Sequence, residues 1–392
     1  MLANSYFWIG NGTTVLPGRA CKQGSVLVKN GKILAVNEAC PQGVTRIDAK
    51  GGYILPGFID LHVHGGGGAD FMDATPESVA TVAIAHAKHG TTGLLATSMT
   101  STNDVLEKMI NSYLIAEEKG TGGAELLGLH LEGPYFSAKN KGAQPVKEQR
   151  IPTREELEYF IKLAKGRIVR WDEAPELENT DVFAQVMKEN GIIASIAHTS
   201  AIAAQAYAAF DMGFSHITHF YSATTTGQKI DGLCYSGVNE ATFLDDRITV
   251  ELIADGRHIP REHMLLTYKI KGADKLALIT DAMRAADTND TQSILGAMDT
   301  GVPVVIKDNV AQLPDFSSYA GSVGTMDNAL RVAHVRYGIP LVDVVKMMSL
   351  TPARIIGRSH DKGSLEVGKD ADIVIMNNDF EVESVYVCGV EI

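Results

Sequence analysis

The stretch Leu55-Pro-Gly-Phe-Ile-Asp-Leu-His-Val-His-Gly65 contains the first of the predicted barrel strands and ends in a pair of histidines. Its apolar run at 58–63 predicts a β-strand, because it is short and is bounded by Pro-Gly before it and by four glycines after it. His62 and His64 stand two residues apart, so an extended chain directs both side chains to one side, where they could bind one ion together. The following glycines allow the backbone to approach a ligand closely.

Further apolar runs of this kind alternate with amphipathic stretches along the chain. Helical spacing is clearest at 76–88, 154–165, 200–210 and 325–337, with Thr75, Thr153 and Ser200 as caps or first-turn residues. The predicted strands are 58–63, 92–97, 125–131, 167–171, 192–197, 216–220, 249–254 and 276–280. This alternation is typical of repeated βα units, and eight strands predict a closed (β/α)₈ barrel of the TIM type.

The two ends of the chain differ from this central pattern because they contain short strands and turns. Asn30-Gly31 separates two apolar runs, which predicts a β-hairpin, and two further strands follow turn-rich segments near the C-terminus. We therefore predict a small β-sandwich module built from both termini. The expected division is 1–53 and 358–392 for the two parts of the module and 54–357 for the barrel.

Composition excludes several classes of partner. The 392 residues carry a formal net charge of −12, which disfavours binding to nucleic acid or to anionic membranes. The four cysteines lie far apart without a C-x-x-C motif, and this pattern is typical of a reducing compartment. No signal-peptide pattern and no apolar run of membrane-spanning length is present, so a cytoplasmic location is expected.

Polar residues stand where the predicted strands end, and chemistry in such barrels sits at that end. They are His62, His64, Ser98, Glu132, Asp172, Glu173, His198, His219, Asp255, His258 and Asp281. Histidine and carboxylate side chains are typical ligands of zinc, and a carboxylate such as Glu132 can bridge two ions. Asp281, at the end of the eighth strand, is the candidate general base and could also contact the metal.

Structural roles remain open for several of these residues. Glu132 could pair with a surface lysine, and Asp281 could cap the following helix. His216 and His219 have odd spacing and point to opposite faces of an extended chain, so we prefer His219 as the ligand and regard His216 as structural. His130 shares the parity of Glu132 and could be its neighbour or a core residue.

Taken together and in order, these motifs resemble the amidohydrolase superfamily, specifically its N-acetylglucosamine-6-phosphate deacetylase family. The motifs are Pro-Gly-Phe-Ile-Asp-Leu-His-Val-His-Gly at 56–65, His-Leu-Glu-Gly-Pro at 130–134, Ala-His-Thr at 197–199, Thr-His-Phe-Tyr at 218–221, Ala-Asp-Gly-Arg-His at 254–258, Thr-Asp-Ala at 280–282 and Ala-Gly-Ser at 320–322. The fourth strand lacks the lysine that bridges the metals in other branches, which favours a branch with a bridging glutamate.

The resemblance implies a site for one or two divalent ions per subunit. Zinc is the default metal for histidine and carboxylate ligands, although iron or manganese could occupy the same set. Glu132, His198 and His219 would bind one ion, and Glu132 would bridge to a second ion on His62 and His64. The implied reaction is hydrolysis of the N-acetyl group of an amino sugar, N-acetylglucosamine 6-phosphate or a close analogue, by a homodimeric enzyme of amino sugar metabolism. Asp281 would transfer protons as well as contact the metal, and His258 would donate to the acetyl oxygen.

The segment expected to bind substrate departs from the family pattern. An arginine that helps to hold the sugar phosphate is missing from 221–232, and Gln144 replaces a histidine. The residues expected to contact substrate are Gln144, Ser222, Ala223, Lys229, Arg257, His258 and Ser322, and Lys229, Arg257 or Arg284 could re-form an anion site. Other amidohydrolase reactions, on a different N-acyl group, a cyclic amide or a purine, and a non-catalytic barrel scaffold remain alternatives.

Overall fold

The computed structural model describes residues 6–392. Its strands are β1 (Tyr6–Leu16), β2 (Arg19–Lys29), β3 (Lys32–Val36), β4 (Thr45–Asp48), β5 (Tyr53–Pro56), β6 (Phe58–Val63), β7 (Gly65–Gly66), β8 (Ala69–Asp70), β9 (Thr91–Thr97), β10 (Glu125–Tyr135), β11 (Ile168–Glu173), β12 (Ile193–Ile196), β13 (His216–Ile217), β14 (Gln228–Ile230), β15 (Leu233–Tyr235), β16 (Thr249–Ile253), β17 (Leu276–Ile279), β18 (Gln292–Leu295), β19 (Val302–Lys307), β20 (Val310–Gln312), β21 (Tyr319–Ser322), β22 (Ile373–Met376), β23 (Val382–Val387) and β24 (Val390–Glu391). Its α-helices are α1 (Pro76–Ala87), α2 (Asn103–Lys119), α3 (Arg154–Leu163), α4 (Thr180–Asn190), α5 (Ala203–Met212), α6 (Val238–Leu244), α7 (Arg261–Lys271), α8 (Met326–Leu330), α9 (Leu341–Met348) and α10 (Leu350–Ile355).

Eight parallel strands form the barrel, in the order β6-β9-β10-β11-β12-β13-β16-β17. The first and last strands meet just beyond β17, where Val63 pairs with Ala282 and the Asp281 N–H donates to the His62 carbonyl at 3.0 Å. Each predicted strand overlaps one of these eight strands, and β6 has the predicted bounds. The predicted TIM-type barrel is therefore confirmed.

Two barrel strands differ in length from the prediction. β10 continues to Tyr135, whereas β13 contains only His216 and Ile217. β13 ends early because the backbone turns away at His219, whose φ of 30° lies in the left-handed region that β-strands do not use. The short strand leaves His219 at the barrel rim.

The terminal strands form one eight-stranded sheet, in the order β24-β23-β22-β5-β1-β2-β3 with β4 paired to β1. The predicted hairpin is present, since Asn30 and Gly31 have φ values of 51° and 75° between β2 and β3, as a tight hairpin turn requires. Both termini thus build the module, as predicted. The domain boundaries at 53/54 and 357/358 stay predictions. Residues 1–5 lie outside the described part of the chain. Strand β5 belongs to the terminal sheet although it crosses the predicted boundary at 53/54.

The helices were predicted less completely than the strands. Thr75 and Thr153 accept the backbone N–H groups of Ser78 and Glu156 and so cap α1 and α3. The expectation for Ser200 is wrong, because α5 begins at Ala203 and the Ser200 hydroxyl instead lies 2.9 Å from the Ser137 hydroxyl. Among residues 6–392, no helix combines the length and apolar character needed to cross a membrane.

An antiparallel sheet of β18 to β21 is inserted after the last barrel strand. The prediction missed this insert. A hairpin signal was present in Asp308-Asn309, whose φ values of 55° and 60° make the tight turn between β19 and β20. The chain that leads from β20 into β21 reaches the mouth of the barrel.

A buried lysine links the barrel to the terminal sheet. The Lys362 side chain is only 1% exposed, and its Nζ lies 2.7 Å from Glu125, 3.1 Å from Asp370 and 2.9 Å from Asp372. Glu125 begins β10, whereas Asp370 and Asp372 precede the terminal strand β22. The ammonium group therefore neutralises carboxylates from both parts of the fold.

Replacing Lys362 with Met should destabilise the protein by roughly 3–5 kcal/mol, because it leaves the buried carboxylate of Asp372 without its cation. The matched control is Lys32→Met, since Lys32 also contacts Asp370, at 2.6 Å, but its side chain is 52% exposed. That exposed pair should contribute about 1 kcal/mol or less. Urea unfolding midpoints of the two variants measure the difference, and equal shifts would contradict a special role for Lys362.

Candidate active site

A cavity of about 470 Å³ opens at the carboxyl ends of the barrel strands. Of the residues predicted for the site, the cavity is lined by His64, Glu132, Gln144, His198, His219, Ser222, Ala223, His258 and Asp281. His62 lies beneath them and is fully buried. Separate strands, distant in sequence, thus deliver the predicted metal ligands to one place.

His62 and His64 form one half of the site. Their Nε2 atoms lie 3.2 Å apart, and the side chain of Val63 packs into the apolar core instead. Asp281 Oδ1 lies 3.4 Å from His62 Nε2 and 3.2 Å from His64 Nε2. The extended backbone of β6 thus directs both histidines to the same face, as predicted.

His198 and His219 form the other half, and their Nε2 atoms are also 3.2 Å apart. Glu132 stands between the two halves: its Oε1 lies 3.1 Å from His198 and 2.9 Å from His219, while its Oε2 lies 3.3 Å from His64. His198 and His219 have left-handed φ values of 43° and 30°. Such conformations cost free energy in non-glycine residues and are concentrated at functional sites.

Hydrogen bonds on the outer side of the rings orient the histidines. Nδ1 of His198 donates to the Asn140 carbonyl at 3.1 Å, and Nδ1 of His219 donates to the Ser222 carbonyl at 3.0 Å. His62 Nδ1 lies 2.8 Å from the Glu251 carboxylate. A neutral imidazole that donates from Nδ1 carries a lone pair on Nε2 and can bind a metal there.

This donor set fits a divalent metal. Two nitrogen ligands on a tetrahedral zinc ion, with Zn–N distances near 2.0–2.1 Å, lie about 3.3 Å apart. Both histidine pairs have that spacing, whereas facing lone pairs without a cation would repel each other. Two groups could therefore each hold a divalent metal, namely His62 with His64 and Glu132, and Glu132 with His198 and His219.

The electrostatics of the site favour positive charge. Burial alone would raise the pKa of Glu132, but hydrogen bonds with His198 and His219 hold it well below its usual range. Burial would lower the pKa of His64, but the carboxylates of Asp281 and Glu132 raise it to about 9. Burial would also lower the pKa of His219, but the carboxylate of Glu132 raises it to about 9. In the metal-free protein, His64 and His219 therefore hold protons at neutral pH, at the positions where the surrounding carboxylates favour positive charge.

Two further predicted residues have defined partners in the cavity. Gln144 Nε2 donates to Glu132 Oε2 at 2.6 Å, while its Oε1 accepts the Thr100 N–H at 2.9 Å. His258 Nδ1 lies 2.7 Å from Asp255 Oδ2, so Asp255 orients the ring. Gln144 is therefore attached to the central carboxylate itself.

Other predicted residues lie elsewhere. Lys229 on β14 and Arg257 are exposed and do not line this cavity. Ser322 is buried, and its hydroxyl donates to the Thr280 carbonyl at 2.6 Å. The suggestion that Arg284 could bind an anion is wrong. Its guanidinium is buried and donates to both carboxylate oxygens of Asp73, at 2.6 and 2.7 Å, so its charge is already neutralised.

The prediction missed three kinds of residue in and below the site. Gln312, Phe316 and Tyr319 line the cavity from the β18 to β21 insert, which was not recognised. Asp255 was noted only as a strand-end residue, although its position three residues before His258 was a usable signal. Arg170 and Glu251 lie fully buried below the histidines, where a charged residue is not expected from sequence.

This chain is similar to known proteins over most of its length. The amidohydrolase family model matches residues 53–392. The N-acetylglucosamine-6-phosphate deacetylase of Bacillus subtilis (strain 168) is 34% identical, across 94% of this chain and 92% of that protein. The N-acetylgalactosamine-6-phosphate deacetylase of Escherichia coli O157:H7 is 32% identical, across 91% and 92%.

Solved structures are similar over the same extent. The N-acetylglucosamine-6-phosphate deacetylase of Pasteurella multocida has a TM-score of 0.91 at 28% identity and covers 99% of both chains. A mutant of the Mycobacterium smegmatis enzyme in complex with N-acetyl-D-glucosamine-6-phosphate has a TM-score of 0.90 at 27% identity, again over 99% of both chains. The similarity therefore includes the barrel and the terminal sheet.

Metal binding should strengthen as pH rises. His64 and His219, with pKa values near 9, hold protons in the metal-free protein at neutral pH, so each ion must displace them. We expect zinc affinity to increase roughly tenfold per pH unit for each proton displaced, up to about pH 9. Competition with a chelator of known affinity, at about pH 6.0 and 7.5, measures this change. An affinity that does not depend on pH would contradict the proposed ligands.

Proposed function

This chain belongs to the amidohydrolase family, and we propose that it removes the N-acetyl group of an amino sugar, with N-acetylglucosamine 6-phosphate as the first candidate substrate. Hydrolysis would release acetate and the free amino sugar. The observation that carries the proposal is Glu132, whose two oxygens face two histidine pairs at the mouth of a barrel. Relatives named as deacetylases of N-acetylhexosamine phosphates, similar over nearly the whole chain, support the substrate class.

The proposed metal ligands are Glu132, His198 and His219 for one ion and His62, His64 and Glu132 for a second, with Asp281 beside them. Zinc is our first choice because histidine and carboxylate ligands suit it. When bound, such an ion activates water and polarises the scissile carbonyl. The histidines would bind the ions through their Nε2 atoms, and Glu132 would supply negative charge that holds the cations.

Asp281 is the proposed proton carrier. Burial would raise the pKa of its carboxyl, but the neighbouring His62 and His64 rings hold it below its ordinary value, so the group is ionised at neutral pH and can accept a proton. It lines the cavity and contacts both histidines. The proton that Asp281 takes from the attacking water would pass to the leaving nitrogen, because amide hydrolysis requires that nitrogen to leave as an amine.

His258 is the proposed donor to the acetyl oxygen. Asp255 holds its Nδ1 at 2.7 Å, and the ring packs against Tyr319 with 4.4 Å between ring centroids. To donate from Nε2 while Nδ1 donates to Asp255, the ring would carry a hydrogen on both nitrogens, and the Asp255 carboxylate would balance its positive charge. Gln144, Ser222 and Ala223 line the same cavity and are the proposed contacts to the sugar.

Three proposed substrate contacts, Lys229, Arg257 and Ser322, do not line the cavity of a single subunit. Lys229 lies on the hairpin of β14 and β15. This hairpin exposes the apolar side chains of Ile230, Leu233 and Tyr235, and such a surface suits contact with a second copy of the chain in a homodimer. A cytoplasmic location is proposed because the four cysteines are free thiols.

Acetate release should be fastest with N-acetylglucosamine 6-phosphate. N-acetylgalactosamine 6-phosphate is the first alternative, because one relative is named for that reaction. Initial rates with both sugar phosphates and with unphosphorylated N-acetylglucosamine, on zinc-loaded protein, rank the candidates. Absence of acetate release from all three would contradict the proposed substrate class.

Replacing Asp281 with Asn should lower kcat by on the order of 10²–10⁴, because the amide cannot accept the proton. The histidines and Glu132 remain, so metal content should persist. Asp246→Asn is the control, since the Asp246 side chain is 97% exposed and outside the cavity lining. Acetate assays and metal analysis on the same samples measure both effects, and turnover at the wild-type rate would refute the role of Asp281.

A further inference from the structure

A layer of buried charge lies directly beneath the metal-binding histidines. It includes Arg170 on β11, His216 on β13 and Glu251 on β16, and none of these is more than 1% exposed. Barrel interiors are normally filled by branched apolar side chains. A buried ion pair does not usually stabilise a fold more than well-packed apolar residues would. The charged layer therefore calls for an explanation other than stability.

Glu251 is the centre of this layer. Its Oε1 lies 2.8 Å from His62 Nδ1 and accepts the backbone N–H of His219 at 3.2 Å. Its Oε2 lies 3.3 Å from His216 Nε2, and the Arg170 guanidinium donates to both carboxylate oxygens. One carboxylate thus contacts a residue from each half of the site.

The two halves depend on Glu251 to different degrees. His198 and His219 are oriented through Nδ1 by backbone carbonyls of Asn140 and Ser222, which no side-chain substitution removes. In the other half, Nδ1 of His64 has no hydrogen-bond partner in the part of the chain that the structure describes. Glu251 is consequently the acceptor that orients the His62–His64 half.

Arg170 makes this dependence sharper. Its guanidinium also lies 3.5 Å from His62 Nδ1. Glu251, at 2.8 Å, accepts a hydrogen bond from the Nδ1–H of His62, so the lone pair of the ring lies on Nε2, facing the site. Without that carboxylate, Arg170 would donate to Nδ1, and the hydrogen would move to Nε2, where it blocks metal binding.

We infer that Glu251 is a positioning residue that determines whether the His62–His64 half binds its metal ion, by fixing the orientation and tautomer of His62. The inference rests on the proposed function, because it requires a metal-dependent site with two ions. Glu251 itself does not line the cavity. It acts through His62, and Arg170 holds it in place.

The variant Glu251→Gln tests this inference. An amide has one acceptor oxygen, so it cannot serve Arg170 and His62 as the carboxylate does. We expect the wild-type chain to bind two zinc ions and the variant to bind one at unchanged affinity, with the other weakened by at least about tenfold. Zinc titration with a chromophoric chelator, backed by metal analysis of dialysed samples, measures both ions.

His216→Gln is the matched control. His216 belongs to the same buried layer and contacts the same carboxylate, but it is not a proposed ligand. This variant should keep both ions. Loss of an ion in His216→Gln equal to that in Glu251→Gln would overturn the inference, because it would indicate general damage to the layer. Two ions of wild-type affinity in Glu251→Gln would overturn it as well.

A measurement on the wild-type protein covers the case in which Glu251→Gln does not fold. The zinc-loaded protein should show a slowly exchanging imidazole Nδ1–H signal by NMR that disappears in His62→Gln. Absence of that signal would overturn the inference. A wild-type chain that binds one ion and hydrolyses substrate would overturn it while the proposed function stands, whereas a chain that binds no divalent metal would overturn both.

Discussion

The carboxylate of Glu132 is the contact on which the rest of the site depends. Its two oxygens face His198 and His219 on one side and His64 on the other, all within 3.3 Å. The charge of these buried groups must be balanced, by protons on the histidines in the metal-free protein or by a bound cation. The barrel makes the arrangement possible, because its parallel strands all end at one rim and so bring together residues that are distant in sequence.

Unfavourable backbone conformations and buried charges help to hold these groups in place. His198, His219 and Asp281 have left-handed φ values of 43°, 30° and 49°, conformations that strands avoid. Below them, Arg170 and Glu251 replace apolar filling in the barrel interior. Both features direct side chains of the site, and neither would be selected for stability alone. Most of the other buried side chains are apolar, and their packing stabilises the scaffold that holds these groups.

The strands and most of the ligand positions could be predicted from sequence because both depend on local patterns. Apolar runs indicate strands, and a histidine or carboxylate at the end of such a run is unusual enough to notice. Long-range pairing leaves no local pattern: Arg284 suggested an anion site until its contacts with Asp73 were known. Arg170 and Glu251 were missed for a related reason, since charged residues are mostly exposed and nothing nearby marks these two as buried. The insert escaped recognition because Pro303 interrupts the run that forms β19.

Anomalous diffraction at the zinc edge, from crystals of the zinc-loaded protein, would locate any ion bound at Glu132. We expect zinc peaks on both sides of the Glu132 carboxylate, one beside His198 and His219 and the other beside His62 and His64. A map without an anomalous peak next to Glu132 would contradict a metal site there, because the zinc-loaded protein would then hold no ion between the two histidine pairs.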